Sequence, residues 1–572
     1  MRMSFDFNKY TVAELAELVQ KAGGQRAFAR AYGVPRTTVQ MHLNKEGRTA
    51  FHHREPLEPQ VRELSGDIHR YILTAAQDET VIHPEFLSNL EAYRDYLAKD
   101  GPCELIIAGF TYNKKLFENH DAEKAPYWHP RIEQYLVHDR VRLGDRIDFC
   151  GEMNTLPTAV TPLTGFEPYT RDRWGIFPHA KVQLVSVPTM KNSPAKIIMT
   201  TGAVTKTNYV RKRAGIRASF HHALGAVLVE IAKDGTFFCR HLLGEEDGSF
   251  YDLDRYIETA TRHEAIAGSF DSAAQNIEYA TVNEYNYGTV ITIGHNAAAI
   301  NWGDLHVANI DPNVSKACFG LYPTETRDVD GRLWKRHDGE TMLDALKPSY
   351  QFFHDVADFE SRNHHNLRDP HHMFALHVHG CESVENEMRE VSFFIDQTRR
   401  PGTRTVIVES NHDLALKRWL KEADYKADPL NAIFFLDCQS ATYQAIKRKE
   451  EGFSIFEHVL TTRFPETPCD GVDFLREDES FMVLGIEKGM HGHLGANGAK
   501  GTPLAFTKMG PKATTGHTHS CGIRDGIYTS GTSSQLDMGY NKGLSSWSHS
   551  HVLTYQNGKR TILTMQGEKW RL

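Results

Sequence analysis

Five times after residue 290 the chain runs through a short apolar stretch and ends it on His, Asp or Asn. Ala297–Asn301 leads into Gly303-Asp304-Leu305-His306, Tyr350–Phe353 into His354-Asp355-Val356-Ala357-Asp358, and Thr405–Val408 into Glu409-Ser410-Asn411-His412-Asp413. Phe481–Ile486 leads into Gly489-Met490-His491-Gly492-His493, and Lys512–Thr515 into Gly516-His517-Thr518-His519. Short apolar runs bounded by turn residues read as strands. Layered α/β proteins assemble their sites from polar residues at the carboxyl ends of such strands. The C-terminal half is therefore expected to be an α/β layered fold in which the ends of five strands meet. Asp304 and His306 stand two positions apart, and on an extended segment both side chains would face one side.

The donors delivered by these strands are carboxylates, one amide oxygen and imidazoles, with no thiolate among them. That mixed oxygen and nitrogen set suits Mn²⁺, Fe, Zn²⁺ or Mg²⁺ better than a soft metal. One Asp lying between two ions can bridge them at roughly 3.5–4 Å, and the pair can share a hydroxide that attacks phosphorus in line. A neighbouring His can then protonate the leaving oxygen. At the fourth strand His491 and His493 both qualify as the ligand, with His491 nearer the strand end. Leu376-His377-Val378-His379-Gly380 reads as a second strand with two imidazoles on one face.

Composition narrows the classes further. The eight cysteines form no Cys-x-x-Cys pair, which argues against a zinc ribbon or a disulfide framework. No apolar run approaches the roughly 18 residues of a membrane span. The opening Met1-Arg2-Met3-Ser4-Phe5-Asp6 lacks a charged-then-apolar leader. A cytoplasmic protein without a membrane span is expected. The net charge of −8 excludes nonspecific nucleic-acid binding by the chain as a whole.

The N-terminus departs from that acidic balance, with nine Lys/Arg against four Asp/Glu in residues 1–54. Val12, Leu15, Leu18 and Val19 recur at helical spacing. Gly23-Gly24 end that helix, Gln25–Tyr32 form a second, and Pro35 opens a third. Residues 1–55 thus read as a helix-turn-helix, with Arg36, Thr37, Thr38 and Gln40 on the exposed face of a recognition helix for DNA. Residues 56–75 read as linker and 76–292 as a strand-rich α+β domain. Strands are expected at Lys181–Val187 and Ile197–Met199, and a hairpin from Ala226–Ile231 and Thr236–Arg240. Gly248–Asp254 reads as a loop leading into a helix. The remaining domain is 293–572.

Asp-x-His, then Asp-x-x-Asp, then Asn-His-Asp, then a lone His, then Gly-His-x-His, in that order, resembles the calcineurin-like metallophosphoesterase superfamily. The resemblance implies an α/β/β/α sandwich for residues 293–572. It implies that Asp304, His306, Asp355 and His519 bind one metal. Asp355 would bridge to a second held also by Asn411, His491 and His517. His412 would be the catalytic acid, with Asp358 and Asp413 orienting ligands. Where the superfamily has Gly before the bridging Asp and before the Asn, this chain has His354 and Ser410. Arg362, His364 and His365, just after the bridging block, are expected to touch a substrate phosphate.

His354–Phe359 with Arg362–Asn366, and Gly489–Gly492 running to Gly516–His519, also resemble the pre-early DNA-transfer nucleases of large tailed phages, over roughly residues 100–572. That likeness implies an oligomeric DNase with two divalent ions, Mn²⁺ foremost, which degrades host DNA in the host cytoplasm. The alternatives are a phosphatase or small-molecule phosphodiesterase with an oligomerising N-terminus, and a DNA-binding regulator whose catalytic domain is inactive.

Overall fold

The structure is a computed structural model, and it describes residues 5–44, 58–112, 127–190, 193, 195–265, 282–292, 296–363 and 366–572. Two compact units divide the chain, residues 1–58 and residues 59–572.

The first unit holds three helices, α1 (Val12–Lys21), α2 (Gln25–Tyr32) and α3 (Arg36–Leu43). Thr11 and Glu14 close a reciprocal cap at the start of α1. Gly33, at φ 66°, ends α2 in the left-handed region. Leu15, Val19, Phe28, Ala29 and Val39 form a small buried core. Helix positions agree with the apolar spacing.

In the second unit, a five-stranded sheet runs in the order Phe237–Leu243, Gly225–Ala232, Ile68–Gln77, Cys103–Phe110 and Leu136–Val137. Most of the expected linker 56–75 is therefore strand, because Gln60–Arg62 and Ile68–Gln77 both pair into sheets. Polarity hid the second strand. Its Arg70 is buried and reaches Glu230 Oε1 at 3.1 Å across the sheet. The hairpin around residue 234 pairs as expected, Gly225–Ala232 against Phe237–Leu243. Gly248–Asp254 forms no approach to a helix, because Phe250–Asp252 turns back antiparallel on Arg255–Ala265.

An eleven-stranded sheet runs from Gln60–Arg62 through Arg140–Leu143, Ile147–Cys150, Trp174–Phe177, Lys196–Thr200 and Leu184–Val187. It continues into Gly522–Arg524, Ile527–Thr529, Lys512–Thr515, Ile486–Glu487 and Met482–Val483. The junction is an antiparallel pairing of Leu184–Val187 with Gly522–Arg524. Segments 76–292 and 293–572 thus share one sheet, and the expected boundary near residue 292 is not a boundary of the fold. Local pattern finds strands but not their partners.

The third sheet positions the site. Its order is Asp473–Leu475, Arg404–Val408, Tyr350–His354, Ala297–Asn301, Ser550–Tyr555 and Arg560–Thr564. The first four strands are parallel and the last two antiparallel. Ile300, Phe353 and Ile407 face a helical layer that includes Val384–Thr398, Ala415–Glu422 and Ile455–Thr462. Ala299, Phe352, Val406 and Val408 face the other way, against Val483 and Phe481 of the long sheet. The result is mixed α/β, with one sheet sandwiched between helices and a second sheet. Phe353 is fully buried, so its truncation to Ala would cost about 3–5 kcal/mol.

The His377/His379 segment is not a strand. Pro370–His379 is a helix capped by Asp369, in which only Leu376 is buried. The alternation that suggested a strand is a surface pattern without a sheet to pair with.

Candidate metal centre

Three parallel neighbours deliver their following turns to one place. Asn301 ends its strand; beyond it Asp304 bridges in parallel to Thr532, and His306 turns into the left-handed region, so the two do not share one continuous extended segment. Leu305 N–H donates to His354 O at 3.0 Å and His306 N–H to Asp355 O at 2.7 Å, so the first two turns are bonded together. Asp355 follows the next strand, and Asn411 to Asp413 the third. His517 and His519 arrive from the long sheet after Lys512–Thr515.

His306, Asp355, His517 and His519 have φ of 45°, 45°, 72° and 55°, the left-handed region that non-glycine residues avoid. Such strain costs on the order of 1–3 kcal/mol per residue and persists where surrounding structure overrides it. Here each strained turn aims a side chain at the same point.

The side chains converge closely. His306 Nε2 is 3.0 Å from His519 Nε2 and 3.6 Å from Asp355 Oδ2. His491 Nε2 lies 3.3 Å from Asp355 Oδ2, and His519 Nε2 lies 3.3 Å from Asp304 Oδ2. Among the described residues three groups result, His306–Asp355–His519, Asp355–His491–His517 and His306–Asp358–His412, with donor atoms in each within 4.8 Å of one another, and the first two share Asp355. The buried atoms Asp304 Oδ1, Asp355 Oδ1, Asn411 Oδ1, His491 Nδ1 and Nε2, and His519 Nδ1 have no hydrogen-bond partner. Buried polar atoms in folded proteins are almost always paired. Orphaned oxygen and imidazole donors around a shared carboxylate fit a bound divalent cation.

Asp358 sets the orientation of two rings. Its Oδ1 is 3.0 Å from His306 Nδ1, which leaves His306 Nε2 as the lone pair facing the centre. Its backbone oxygen is 3.0 Å from His412 Nδ1, and Asn309 Nδ2 donates to its Oδ2 at 2.6 Å. Burial disfavours charge on His412, but Asp355 and Asp358 outweigh it and raise its pKa to about 10. Burial likewise opposes the charge of Asp358, yet its bonds to His306 and His412 hold it well below the usual carboxylate range. Asp413 ties the second turn to the third. It accepts from Ala357 N–H at 3.0 Å and from Ser410 Oγ at 2.8 Å. Burial and then the nearby Asp355 charge push Asp413 up to about 7.

Not every expected residue joins the centre. His493 bonds Glu477 Oε1 at 2.9 Å, whereas His491 stands in the cluster. Arg362 is buried and gripped at both ends by Asp428, at 2.6 and 2.8 Å, so its guanidinium braces the fold instead of meeting a phosphate. His364 and His365 lie outside the described residues. His377 and His379 are on the exposed helix described above. In the first unit Arg36, Thr37 and Gln40 are exposed on α3 and Thr38 is half-buried.

Some contributors carried no sequence signal. A Cβ at Gly516 would sit 2.2 Å from Asp304 Oδ1, so the Asp304 carboxylate occupies the space a side chain would take. Gly303 N–H donates to His551 Nδ1 at 2.9 Å, behind the first turn. Lys488 is fully buried beneath the centre and donates to Asn301 Oδ1, Thr514 Oγ1 and Thr554 Oγ1 at 2.8–2.9 Å. Only the Gly preceding His517 was visible, and only as a turn.

The chain is 35% identical over 509 residues to Protein A1 of Escherichia phage T5, covering 88% of this chain and 82% of the phage protein. The chain belongs to the Protein A1 family. The relationship supports a phage origin. No protein-family profile and no solved structure matches the chain. Among the described residues no helix is long and apolar enough to cross a membrane.

Proposed function

We propose that this protein is a metal-dependent phosphodiesterase that hydrolyses DNA, with Asp355 shared between two divalent ions. The observation that carries the reading is the pair of buried His/Asp groups meeting at Asp355. Asp304, His306, Asp355 and His519 would hold one ion, and Asp355, Asn411, His491 and His517 the other. The oxygen and imidazole donors suit Mn²⁺ foremost, and also Mg²⁺, Fe or Zn²⁺. Bound there, such a pair supplies positive charge to a phosphoryl group and makes water a nucleophile near neutral pH.

The protein's own residues do the rest. His412 has Nδ1 fixed on Asp358 O, which leaves Nε2 to face the substrate and protonate the leaving oxygen. Asp358 keeps both His306 and His412 in place, and Asp413 clamps the turn carrying Asp355 to the turn carrying His412. The basic helices of residues 1–58 give the chain a means of contacting DNA phosphates. In a Protein A1 relative, such a nuclease would act on host DNA in the cytoplasm during phage DNA transfer, as a homo-oligomer.

Supercoiled plasmid DNA and bis(p-nitrophenyl) phosphate, each with Mn²⁺, test the proposal. The wild-type protein should cut both and Asp355→Ala neither. Cleavage of the small ester alone would sink the nuclease reading. DNA binding without cleavage of either substrate would make the protein a regulator built on an inactive fold.

A further inference from the structure

His519 is the centre's link to an aromatic rim. Its ring meets Trp547 edge to face, with centroids 4.2 Å apart. Trp547 in turn meets Tyr540 at 5.8 Å, again edge to face. Tyr540 is 58% exposed, although it sits one aromatic ring away from the buried His519 of the Asp/His cluster.

The segment carrying Tyr540 is held in shape. Asn541 Nδ2 donates to Leu536 O at 2.9 Å and Met538 N–H donates to Asn541 Oδ1 at 3.1 Å. Leu544–Ser545 pairs antiparallel with Thr189–Met190. At its start, Gln535 N–H donates to Asn309 O at 2.9 Å, and Asn309 is the residue that donates to Asp358. The segment is thus tied to the same scaffold that orients His306 and His412. Partial burial, followed by the negative charges of Asp358, Asp355 and Asp304, pushes the Tyr540 phenol up, which places the ring within the field of the centre. A large aromatic ring fixed at such a rim and left open to solvent is a surface for a flat partner.

We propose that Tyr540, braced by Trp547, stacks on an unpaired nucleobase next to the phosphate held at the Asp/His centre. The inference rests on the phosphodiesterase reading and adds a substrate class to it. Bases inside an intact duplex are covered on both faces by their neighbours, so a protein ring can take only a base that is single-stranded, terminal or turned out of the stack. The centre would therefore favour single strands, nicks and frayed ends over continuous duplex. Exposed Lys542, two residues on, can meet the backbone of the same strand.

The test uses the full chain and two short single-stranded oligodeoxynucleotides, one with 2-aminopurine and one with an abasic residue at the same position. Binding is measured with Ca²⁺ in place of Mn²⁺. The wild-type protein should quench 2-aminopurine and bind the base-bearing oligomer about 10-fold more tightly than the abasic one, within the range that a single stacked base supplies. Tyr540→Ala should abolish the quench and bring the ratio close to one, while Tyr540→Phe should keep both. An unchanged ratio in Tyr540→Ala, or no binding of either oligomer by the wild type, overturns the proposal. The parent reading fails separately, through loss of Mn²⁺-dependent hydrolysis of bis(p-nitrophenyl) phosphate by the wild-type protein.

Discussion

Gly516 and Asp304 occupy one space: a Cβ built on Gly516 would lie 2.2 Å from Asp304 Oδ1. The same turn donates His517 N–H to Asp304 Oδ2 at 2.7 Å. The carboxylate is fixed by backbone on one side and finds no partner for its other oxygen. Gly516→Ala must push Asp304 off this position while leaving every ligand chemically intact. We predict a loss of about 10–100-fold in Mn²⁺ affinity, the range seen when a supporting contact is removed. Calorimetric titration of the apoprotein checks it, and wild-type affinity in the variant would remove Asp304 from the ligand set.

On the proposed reading, His412 acts on substrate and does not hold metal. It appears in a cluster with His306 and Asp358, but its Nδ1 is committed to the backbone of Asp358. His412→Ala should retain both ions by elemental analysis and lose about 10²–10⁴-fold in kcat, the usual contribution of a general acid. Loss of one ion on substitution would assign His412 to the shell instead.

The convergence of these side chains was legible in the sequence because they come as short local units at strand ends. Asp304, His306, Asp355, His491, His517 and His519 each follow an apolar run, and the structure brings them together. What stayed hidden depends on distant pairing. Arg362 looked available for phosphate because Asp428, its partner, lies 66 residues later. Ile68–Gln77 looked like linker because the charge on Arg70 is met by Glu230, 160 residues away. The shared eleven-stranded sheet hangs on the two-residue pairing of Leu184–Val187 with Gly522–Arg524. His377 and His379 misled in the opposite direction, since a five-residue alternation fits one turn of an exposed helix as well as a strand.

The pairing of Arg362 with Asp428 yields its own prediction. If Arg362 braces the loop after Asp358, then Arg362→Ala and Asp428→Ala should lower stability by similar amounts, about 1–3 kcal/mol for a charged hydrogen-bonded pair that is only partly buried. Their effects should not add in the double variant, because one contact is lost in all three. Denaturant unfolding measures this. A rise in KM for DNA in Arg362→Ala alone, with stability unchanged, would return Arg362 to the substrate.

A buried charge cluster gives the five-stranded sheet a pH dependence. Asp252 receives Arg240 Nε at 2.6 Å and Nη2 at 2.8 Å, and Arg240 also pairs with Glu230. Burial opposes the Asp252 charge, but Arg240 holds its carboxyl below the ordinary value of 3.8. A depressed folded value stabilises the charged form, so the contribution is complete above 3.8 and is lost as pH falls through the lower folded value. Asp252→Asn should therefore reduce Tm at pH 6, and the gap from wild type should close as acid titrates the wild-type carboxylate. A gap independent of pH between 6 and about 2 would show that packing, not charge, is what Asp252 supplies.

The helices of residues 1–58 bear on DNA only through what α3 exposes. Arg36 and Gln40 lie one turn apart on its open side, while Val39 between them is buried in the small core. A guanidinium contacting phosphate adds a salt-dependent increment, and a side chain reading a base edge adds a sequence-dependent one. We predict that Arg36→Ala weakens DNA binding and lowers the slope of log affinity against log salt by about one. Gln40→Ala should leave that slope unchanged and cost about 1–3 kcal/mol on the sequence the wild-type protein binds most tightly. Neither change should alter hydrolysis of bis(p-nitrophenyl) phosphate. Titrations at several salt concentrations decide the matter. Wild-type affinity and slope in both variants would mean that the exposed face of α3 does not touch DNA, leaving the helices an assembly role.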